Sequence, residues 1–262
     1  MNTQQFALMK KDIRSITSNK QVFMVMLIVP LALTIILPSI FVFITVFAPK
    51  SASNFDKLLE LLPTEVPEGK QISAILEFMI NKIMPPFFLL IPIMASSVMA
   101  SSSFVGEKEK HTLETLLYSP LSLRQLFQAK ILAGFVVGMM VSLISFAAMM
   151  LVVEIEILAL TGSMMIPDIS WIVVMLLIAP TISIVAIALT VRGSAKAQTI
   201  EEAQQRALFL IFPIIALVIG QFTGIILINT WILLGVGAVL ALLAVLLMRG
   251  ASKKFTYERM LR

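Results

Sequence analysis

Long apolar runs are the feature that most limits how this chain can fold. Stretches of 20 or more mostly apolar residues recur along it, and a helix of about 20 apolar residues is long enough to cross a bilayer. Apolar residues make up 59% of the 262 positions and charged residues only 13%, against roughly 25% charged in soluble domains. The sequence therefore predicts an all-α integral membrane protein.

The hydropathy pattern predicts six transmembrane helices in a single domain spanning residues 1–262. They cover residues 22–48, 84–105, 131–153, 171–191, 207–226 and 230–248. A polar patch between Gly220 and Thr230 separates the last two. Prolines lie inside the first, second and fourth, and we expect them to bend or break these helices, because proline lacks a backbone donor and clashes with the preceding turn.

The distribution of Lys and Arg predicts how these helices are oriented. With the N-terminus in the cytoplasm, the cytoplasmic segments hold 16 of the 20 basic residues, and the external loop at residues 49–83 holds the other four. Basic residues accumulate on the cytoplasmic side of membrane proteins, so both termini are predicted inside. Trp171 and Trp231 then fall at the outer interface. This orientation accounts for the net charge of +5 without a nucleic-acid partner.

Two segments outside the predicted spans have helical patterns. Within residues 1–20, four apolar residues recur at helical spacing (Phe6, Met9, Ile13 and Ile16), with Lys10, Lys11 and Arg14 off that face. Such a helix can lie in the membrane interface with its bases near anionic headgroups; a soluble leader is the alternative. In the external loop, Phe55–Leu62 and Lys70–Lys82 each predict a short helix.

The cytoplasmic link at residues 106–122 combines charges with an apolar stripe. Charged residues occupy 107–110, and the stripe follows at Leu113, Leu116 and Leu117, flanked by Glu114. Pro120 ends this helix, and Ser122 with Gln125 forms a capping-box pattern that begins the next one. The residues alone favour a docking element and a solvated connector equally.

The run from Gly106 to Lys130 resembles the membrane subunit of ATP-binding-cassette type-2 transporters, the exporter-type permease. The matching positions are an acidic stretch, a Thr-Leu-Glu triplet, a Leu pair, a proline and a lysine: Glu107, Glu109, Thr112, Leu113, Glu114, Leu116, Leu117, Pro120 and Lys130. His111 departs from the glycine that many relatives carry. The second cytoplasmic loop, Ser194 to Gln205 followed by Pro213, resembles the family's Ser-rich loop and its Ala-Gln pair, here Ala203-Gln204. Ser194, Glu201 and Glu202 are the candidate site residues of this loop.

This resemblance implies partners that the chain itself lacks. Such permeases work with a separate ATPase subunit, and two permeases, here a homodimer, join two ATPases in the cell membrane of a prokaryote. ATP and Mg are expected on the ATPase, since the chain has no phosphate-loop motif. The link would be the coupling helix that enters a groove of the ATPase, and residues 1–20 the interfacial connecting helix. No catalytic residue, cofactor or metal is expected in this chain.

The cargo is predicted to be apolar or amphipathic, such as a lipid, a hydrophobic peptide or a drug-like molecule. The predicted spans contain no charged residue, and their polar groups are mainly hydroxyls that could line a path: Thr34, Ser39, Ser96, Ser97, Ser101, Thr181 and Ser183. In spans, hydroxyls more often bond to neighbouring helices or backbone. An ionic or polar cargo stays open.

Two other functions are compatible with parts of the sequence. An ATP-independent carrier, a channel or a membrane scaffold would share the six-helix pattern, although carriers usually place ionisable residues within their spans. An intramembrane protease is the more distant alternative. Glu201, Glu202 and Arg206 fit a Glu-Glu-x-x-x-Arg pattern, but the single histidine, His111, lies upstream and none follows. A solvated acidic patch explains these residues better.

Overall fold

The computed structural model describes residues 3–47, 62, 67, 70–109, 121–194, 197, 199–223 and 229–254. Within these residues, every regular element is a helix, which confirms the predicted helical class. The α-helices are α1 (Thr3–Ser18), α2 (Lys20–Phe47), α3 (Gln71–Phe78), α4 (Met84–Phe88), α5 (Leu90–Glu109), α6 (Leu123–Thr161), α7 (Ile169–Val173), α8 (Ala179–Ser194), α9 (Ile200–Leu208), α10 (Ile211–Phe222) and α11 (Thr230–Lys254). The π-helical segments Met79–Ile83 and Val174–Ile178 connect α3 to α4 and α7 to α8.

Five helical stretches in the described part of the chain are long and apolar enough to cross a membrane. They are Val22–Phe47, Gln71–Glu107, Arg124–Thr161, Ile169–Ser194 and Thr230–Arg249. These contain or overlap the predicted first, second, third, fourth and sixth spans. The predicted fifth span coincides with a shorter apolar helix, Ile211–Gln221, below the roughly 20 residues that a crossing needs.

The second of these stretches begins earlier than the sequence pattern indicates. We expected Lys70–Lys82 to form a separate helix in an external loop, whereas the helical backbone runs on from Gln71 into the predicted span. Ile75, Leu76 and Met79 are each only 1% exposed and join the main hydrophobic core. Burial of these side chains against the bundle stabilises the extension. The predicted helix Phe55–Leu62 lies outside the described residues, apart from Leu62.

The prolines explain where two stretches depart from α-helical geometry. Pro85 and Pro86 follow one π segment, and Pro180 follows the other. Proline offers no N–H and its ring clashes with the carbonyl four residues earlier, so a wider turn just before it relieves the clash. In contrast, α2 is continuous through Pro30 and Pro38, so the expected break is absent there.

Helix α6 is the central element, and its start follows the predicted capping box. The Ser122 hydroxyl accepts from the Gln125 N–H at 3.3 Å, and the Gln125 side chain accepts from the Ser122 N–H at 3.0 Å. With 39 residues, α6 is about 58 Å long and extends beyond the predicted 131–153 on both sides. It ends at Gly162, whose φ of 67° is a left-handed cap that glycine adopts without strain.

Helices α5, α6 and α8 pack closely because α6 carries glycines on its inner face. A Cβ added to Gly138 would lie 2.0 Å from the Ser96 hydroxyl oxygen of α5, and one added to Gly134 would lie 3.2 Å from the Ile187 Cδ1 of α8. Small residues let membrane helices approach closely, so that dispersion contacts hold them together. The Gly134–Gly138 spacing is a G-x-x-x-G pattern.

The two tryptophans occupy different environments. Trp231 is 78% exposed, as expected for the membrane interface. Trp171 is only 1% exposed, and its ring packs 5.7 Å from that of Phe88 and 5.2 Å from that of Phe146. Trp171 therefore does not expose its ring as an interfacial anchor would, and aromatic packing in the core stabilises this large apolar side chain.

Polar contacts hold together the end of the bundle where α3, α7, α10 and α11 meet, which we term the distal end. Lys82 pairs with Asp168 at 2.6 Å, and the Asp168 N–H donates to the Asn81 side chain at 2.9 Å. The Gln221 amide donates to the Lys82 carbonyl at 2.8 Å, and the hydroxyls of Ser170 and Thr230 lie 3.3 Å apart. These contacts link the helical segments that meet at the distal end.

Candidate functional site

The structure describes both flanks of the predicted coupling link but not its centre. Residues 110–120 lie outside the described residues, and with them Thr112, Leu113, Glu114, Leu116, Leu117 and Pro120. Glu107 and Glu109 are in the last turn of α5, and the side chain of Glu107 is described. The candidate site is therefore built from the end of α5, the beginning of α6 and the elements that contact them.

Helix α1 packs against α6 and buries only part of its predicted apolar face, since Ile16 of that face is 4% exposed. Its buried residues are Gln5, Leu8, Asp12 and Ile16, whereas Phe6 of the predicted face is 52% exposed. Met9 and Ile13 are only partly buried. The helix is turned so that Leu8 reaches Leu126 and Ala129 of α6 and an acidic residue faces inward.

That acidic residue belongs to a buried ionic cluster centred on Lys130 of α6. The Lys130 side chain is 1% exposed, and its ammonium lies 3.1 Å from a Glu107 carboxylate oxygen and 3.4 Å from Asp12. It also donates to the Ser103 carbonyl at 2.5 Å, and the Ser103 hydroxyl donates to Asp12 at 2.7 Å. A cation so deeply buried needs compensating negative charge, which α1 and α5 supply.

Lys11 completes the cluster from the solvent side. Its ammonium lies 2.7 Å from the second Glu107 oxygen and 3.7 Å from Asp12, and its side chain is 55% exposed. Partial burial by itself lowers the pKa of Lys11. The hydrogen bond from Lys11 to Glu107 and the negative charges of Glu107 and Asp12 raise this pKa by more than burial lowers it, so the pKa of Lys11 lies above its ordinary value. Two lysines therefore balance two carboxylates.

The cluster ties together three helices that border the link. Removing one partner of a buried ion pair typically costs about 3–5 kcal/mol, because the other charge is left buried and uncompensated. Asp12 is on α1, Glu107 on α5 and Lys130 on α6. The chain just after residues 110–120 also contacts α1, since Leu121 packs with Leu8, Leu126 and Ala129. Helix α1 thus touches the chain on both sides of residues 110–120.

The predicted second cytoplasmic loop is largely a helix that packs on the same end of α5. Ser194 ends α8, and its hydroxyl bonds to the Val191 carbonyl at 2.7 Å. On α9, Ala203 is fully buried with Val105, and the Gln204 amide donates to the Ser101 hydroxyl at 3.1 Å. Glu202 is exposed, and nothing is described of the Glu201 side chain. The two predicted cytoplasmic segments therefore meet on α5.

The hydroxyls proposed for a transport path lie mostly in helix contacts. Thr34, Ser97, Ser101 and Thr181 donate to carbonyls of their own helices, at 2.9, 3.0, 3.0 and 2.7 Å. Ser96 and Ser183 are fully buried, and Ser39 is partly exposed on α2. The structure places these groups without showing a path through them.

The sequence pattern missed Asp12 and Lys11 as site residues. The signal was present: Leu8, Asp12 and Ile16 follow one another at intervals of four, which places an acid in line with two apolar residues on one helix face. An acid on an apolar stripe predicts a buried basic partner. For Lys130, the one signal in the sequence was its place in the family resemblance at residues 106–130.

Comparison with known families gives one match. A family model described as ABC-2 family transporter protein matches residues 64–234, roughly two thirds of the chain. The match includes α5, the link, α6, α8 and α9, and so most of the candidate site. No curated protein and no solved structure matches the chain.

Proposed function

Since the chain belongs to the ABC-2 transporter family, we propose that it forms the membrane-spanning half of an ATP-driven exporter. Its family and apolar helices make it a multi-pass, permease-type membrane protein, and membership implies partnership with an ABC ATPase subunit. In our proposal two copies of this chain join two ATPase subunits, which bind ATP and Mg. Both termini face the cytoplasm of a prokaryotic cell.

The observation that carries the proposal is the buried ionic cluster beside the link. Residues 110–120 connect α5 to α6, and the cluster fastens Glu107, three residues before this segment, and Lys130, ten residues after it, to α1. A displacement of the link by a bound ATPase would therefore move three helices together. Helix α9 would move with them, because Gln204 bonds to Ser101.

An apolar or amphipathic cargo is the substrate class that the described spans favour. Apart from the ends of the helices, the polar side chains between α5, α6 and α8 are hydroxyls rather than charges. A strongly charged solute in such an interior would lack a compensating partner. We propose that Thr34, Ser39, Ser96, Ser97, Ser101, Thr181 and Ser183 contribute to the path when the helices separate during transport.

The coupling role is tested at two acidic residues of the link region other than Glu107, namely Glu109 and Glu114. In Glu109→Lys/Glu114→Lys, Glu107 is left intact, because reversing Glu107 would place three positive charges together and disturb folding. The tagged chain is purified from its source membrane and photolabelled with 8-azido-ATP. We expect a co-purifying labelled ATPase subunit with the unaltered chain and at least a tenfold weaker band with the variant.

Glu77→Lys is the matched control, since Glu77 is exposed on α3 at the distal end. It introduces a charge reversal of the same kind, and we expect the labelled band to persist. Equal labelling of the link variant and the unaltered chain would contradict the coupling assignment. The absence of any nucleotide-labelled partner with the unaltered chain would contradict the proposed ATP-driven function itself.

A further inference from the structure

An apolar groove opens at the end of the bundle that carries the ionic cluster. It has a volume of about 670 Å³ and lies between α1, α6, α8 and α11. Its walls are mostly aliphatic and aromatic, with Phe135, Ile184 and Ala244 among them. Its polar lining residues are Gln5, Gln128 and Arg249, and they share the end of the bundle where α6 begins and α11 ends. The groove therefore has an apolar interior and a polar mouth.

Positive charge surrounds this mouth, because three of the helices that form the groove each carry an arginine near it. Arg249 lines the groove from α11. Arg124 lies one helical turn before Gln128 on the same face of α6. Arg192 is two turns beyond Ile184 on α8, and its guanidinium donates to the Leu247 carbonyl of α11 at 3.2 Å. Among the described residues that line the groove, none is acidic.

We propose that this groove binds an anionic phospholipid of the surrounding bilayer. One acyl chain would lie along Phe135, Ile184 and Ala244, where it replaces bilayer contacts with a close-fitting apolar wall. The phosphate and the negative headgroup would sit among Arg124, Arg192 and Arg249, since arginine donates paired hydrogen bonds to phosphate oxygens. Basic pockets between transmembrane helices are suited to such headgroups.

This lipid would bridge α1 to spans that the ionic cluster does not reach. Gln5 of α1 and Arg249 of α11 both line the groove, whereas Asp12, Glu107 and Lys130 connect only α1, α5 and α6. The bound lipid would complete the attachment of α1 to the bundle. The proposal does not depend on ATP coupling, so either can fail without the other.

The test is native mass spectrometry of the purified, delipidated full chain, titrated with 1-palmitoyl-2-oleoyl-phosphatidylglycerol or with the phosphatidylcholine of identical chains. We expect tighter binding of phosphatidylglycerol. Each arginine near an anionic lipid contributes a factor of roughly five. Arg124→Gln/Arg249→Gln should therefore weaken phosphatidylglycerol binding by roughly thirtyfold and leave the phosphatidylcholine affinity nearly unchanged.

Lys20→Gln/Lys70→Gln is the matched control, because it removes two exposed charges that do not line the groove. A second pair tests the apolar part: Ala244→Phe fills the groove and should abolish binding, whereas Leu242→Phe changes a side chain that is 61% exposed and should not. Equal affinity for the two lipids, or equal weakening by the control charges, would overturn the proposal. So would loss of dimers in Ala244→Phe with lipid binding retained, which would assign the groove to a second copy.

Discussion

Lys130 is a cation with 1% of its side chain exposed, in a chain whose predicted spans contain no charged residue. Its burial is sustained by two carboxylates from two other helices and by the Ser103 carbonyl and hydroxyl. The Phe104 ring lies 5.4 Å from the ammonium and adds a cation–π contact. Such a group costs free energy unless every partner is present, so the residues of the cluster depend on one another.

This dependence gives a test at single residues. Lys130→Met leaves Asp12 and Glu107 with Lys11 as their cation, so we expect a loss of about 3–5 kcal/mol in the free energy of unfolding. The double variant Lys130→Met/Asp12→Asn leaves one positive charge, on Lys11, and one negative charge, on Glu107. It should therefore be less destabilised than Lys130→Met alone. Thermal unfolding in detergent, followed by circular dichroism, measures both. The single variant Asp12→Asn is measured as well, and destabilisation in the double variant equal to the sum of those in Lys130→Met and Asp12→Asn would contradict a coupled cluster.

At the scale of the elements, the packing of α5 against α6 depends on the absence of a side chain at Gly138. A Cβ there would lie 3.2 Å from the Ser96 Cβ as well as 2.0 Å from its hydroxyl oxygen, so rotation of the hydroxyl alone cannot relieve the contact. The helices would have to separate. Since α5 and α6 also carry Glu107 and Lys130, their separation would strain the ionic cluster.

Gly138→Ala should therefore destabilise the protein by about 1–3 kcal/mol, as overpacking of a core usually does. Gly235→Ala is the control, because a Cβ at Gly235 meets no atom within 4 Å, and it should change the free energy of unfolding by less than about 0.5 kcal/mol. Ser96→Ala/Gly138→Ala removes the closest contact and should recover part of the loss. Similar unfolding midpoints for Gly138→Ala and Gly235→Ala would refute the close approach.

At the scale of the whole molecule, both ends are held by polar contacts and the middle by apolar packing. The ionic cluster closes one end, and the Lys82–Asp168 pair with its neighbours closes the distal end. The two pairs differ in exposure: the side chains of Lys82 and Asp168 are 33% and 35% exposed, so salt screens them. The Lys82–Asp168 pair is therefore more sensitive to solution conditions than the buried pairs of Lys130.

The hydrogen bond from Lys82, together with that from the Ile169 N–H, lowers the pKa of Asp168 below its ordinary value of 3.8. The stabilisation of the folded protein by the Asp168 carboxylate is complete above pH 3.8. It is lost as the pH falls through the lowered pKa that Asp168 has in the folded state. Asp168→Asn keeps the helix cap of α7, since Asn caps a helix as well as Asp does. Its effect therefore reports the loss of the negative charge alone. We expect it to lower the unfolding midpoint at pH 7 by at most about 3 °C, with the difference narrowing below pH 4. A difference that stays constant from pH 7 to pH 3 would contradict this.

The sequence by itself determined the helical class, the membrane setting and the start of α6. These follow from hydropathy and from contacts between residues up to four apart, such as the Ser122–Gln125 capping box, which depend on local order along the chain. The resemblance in residues 106–130 also identified the family that the later match confirmed.

Only the tertiary structure decided which face of α1 is buried, where the second long apolar stretch begins and which charges pair. Asp12 and Lys130 are 118 residues apart in sequence, and no periodicity within either helix identifies the other as its partner. The apolar residues of α1 lie on more than one side of the helix, at Leu8 and Ile16 and at Phe6, Met9 and Ile13, so hydropathy alone does not choose the buried face. Electrostatic compensation of Lys130 does, because only the face that carries Asp12 brings a carboxylate to the buried ammonium.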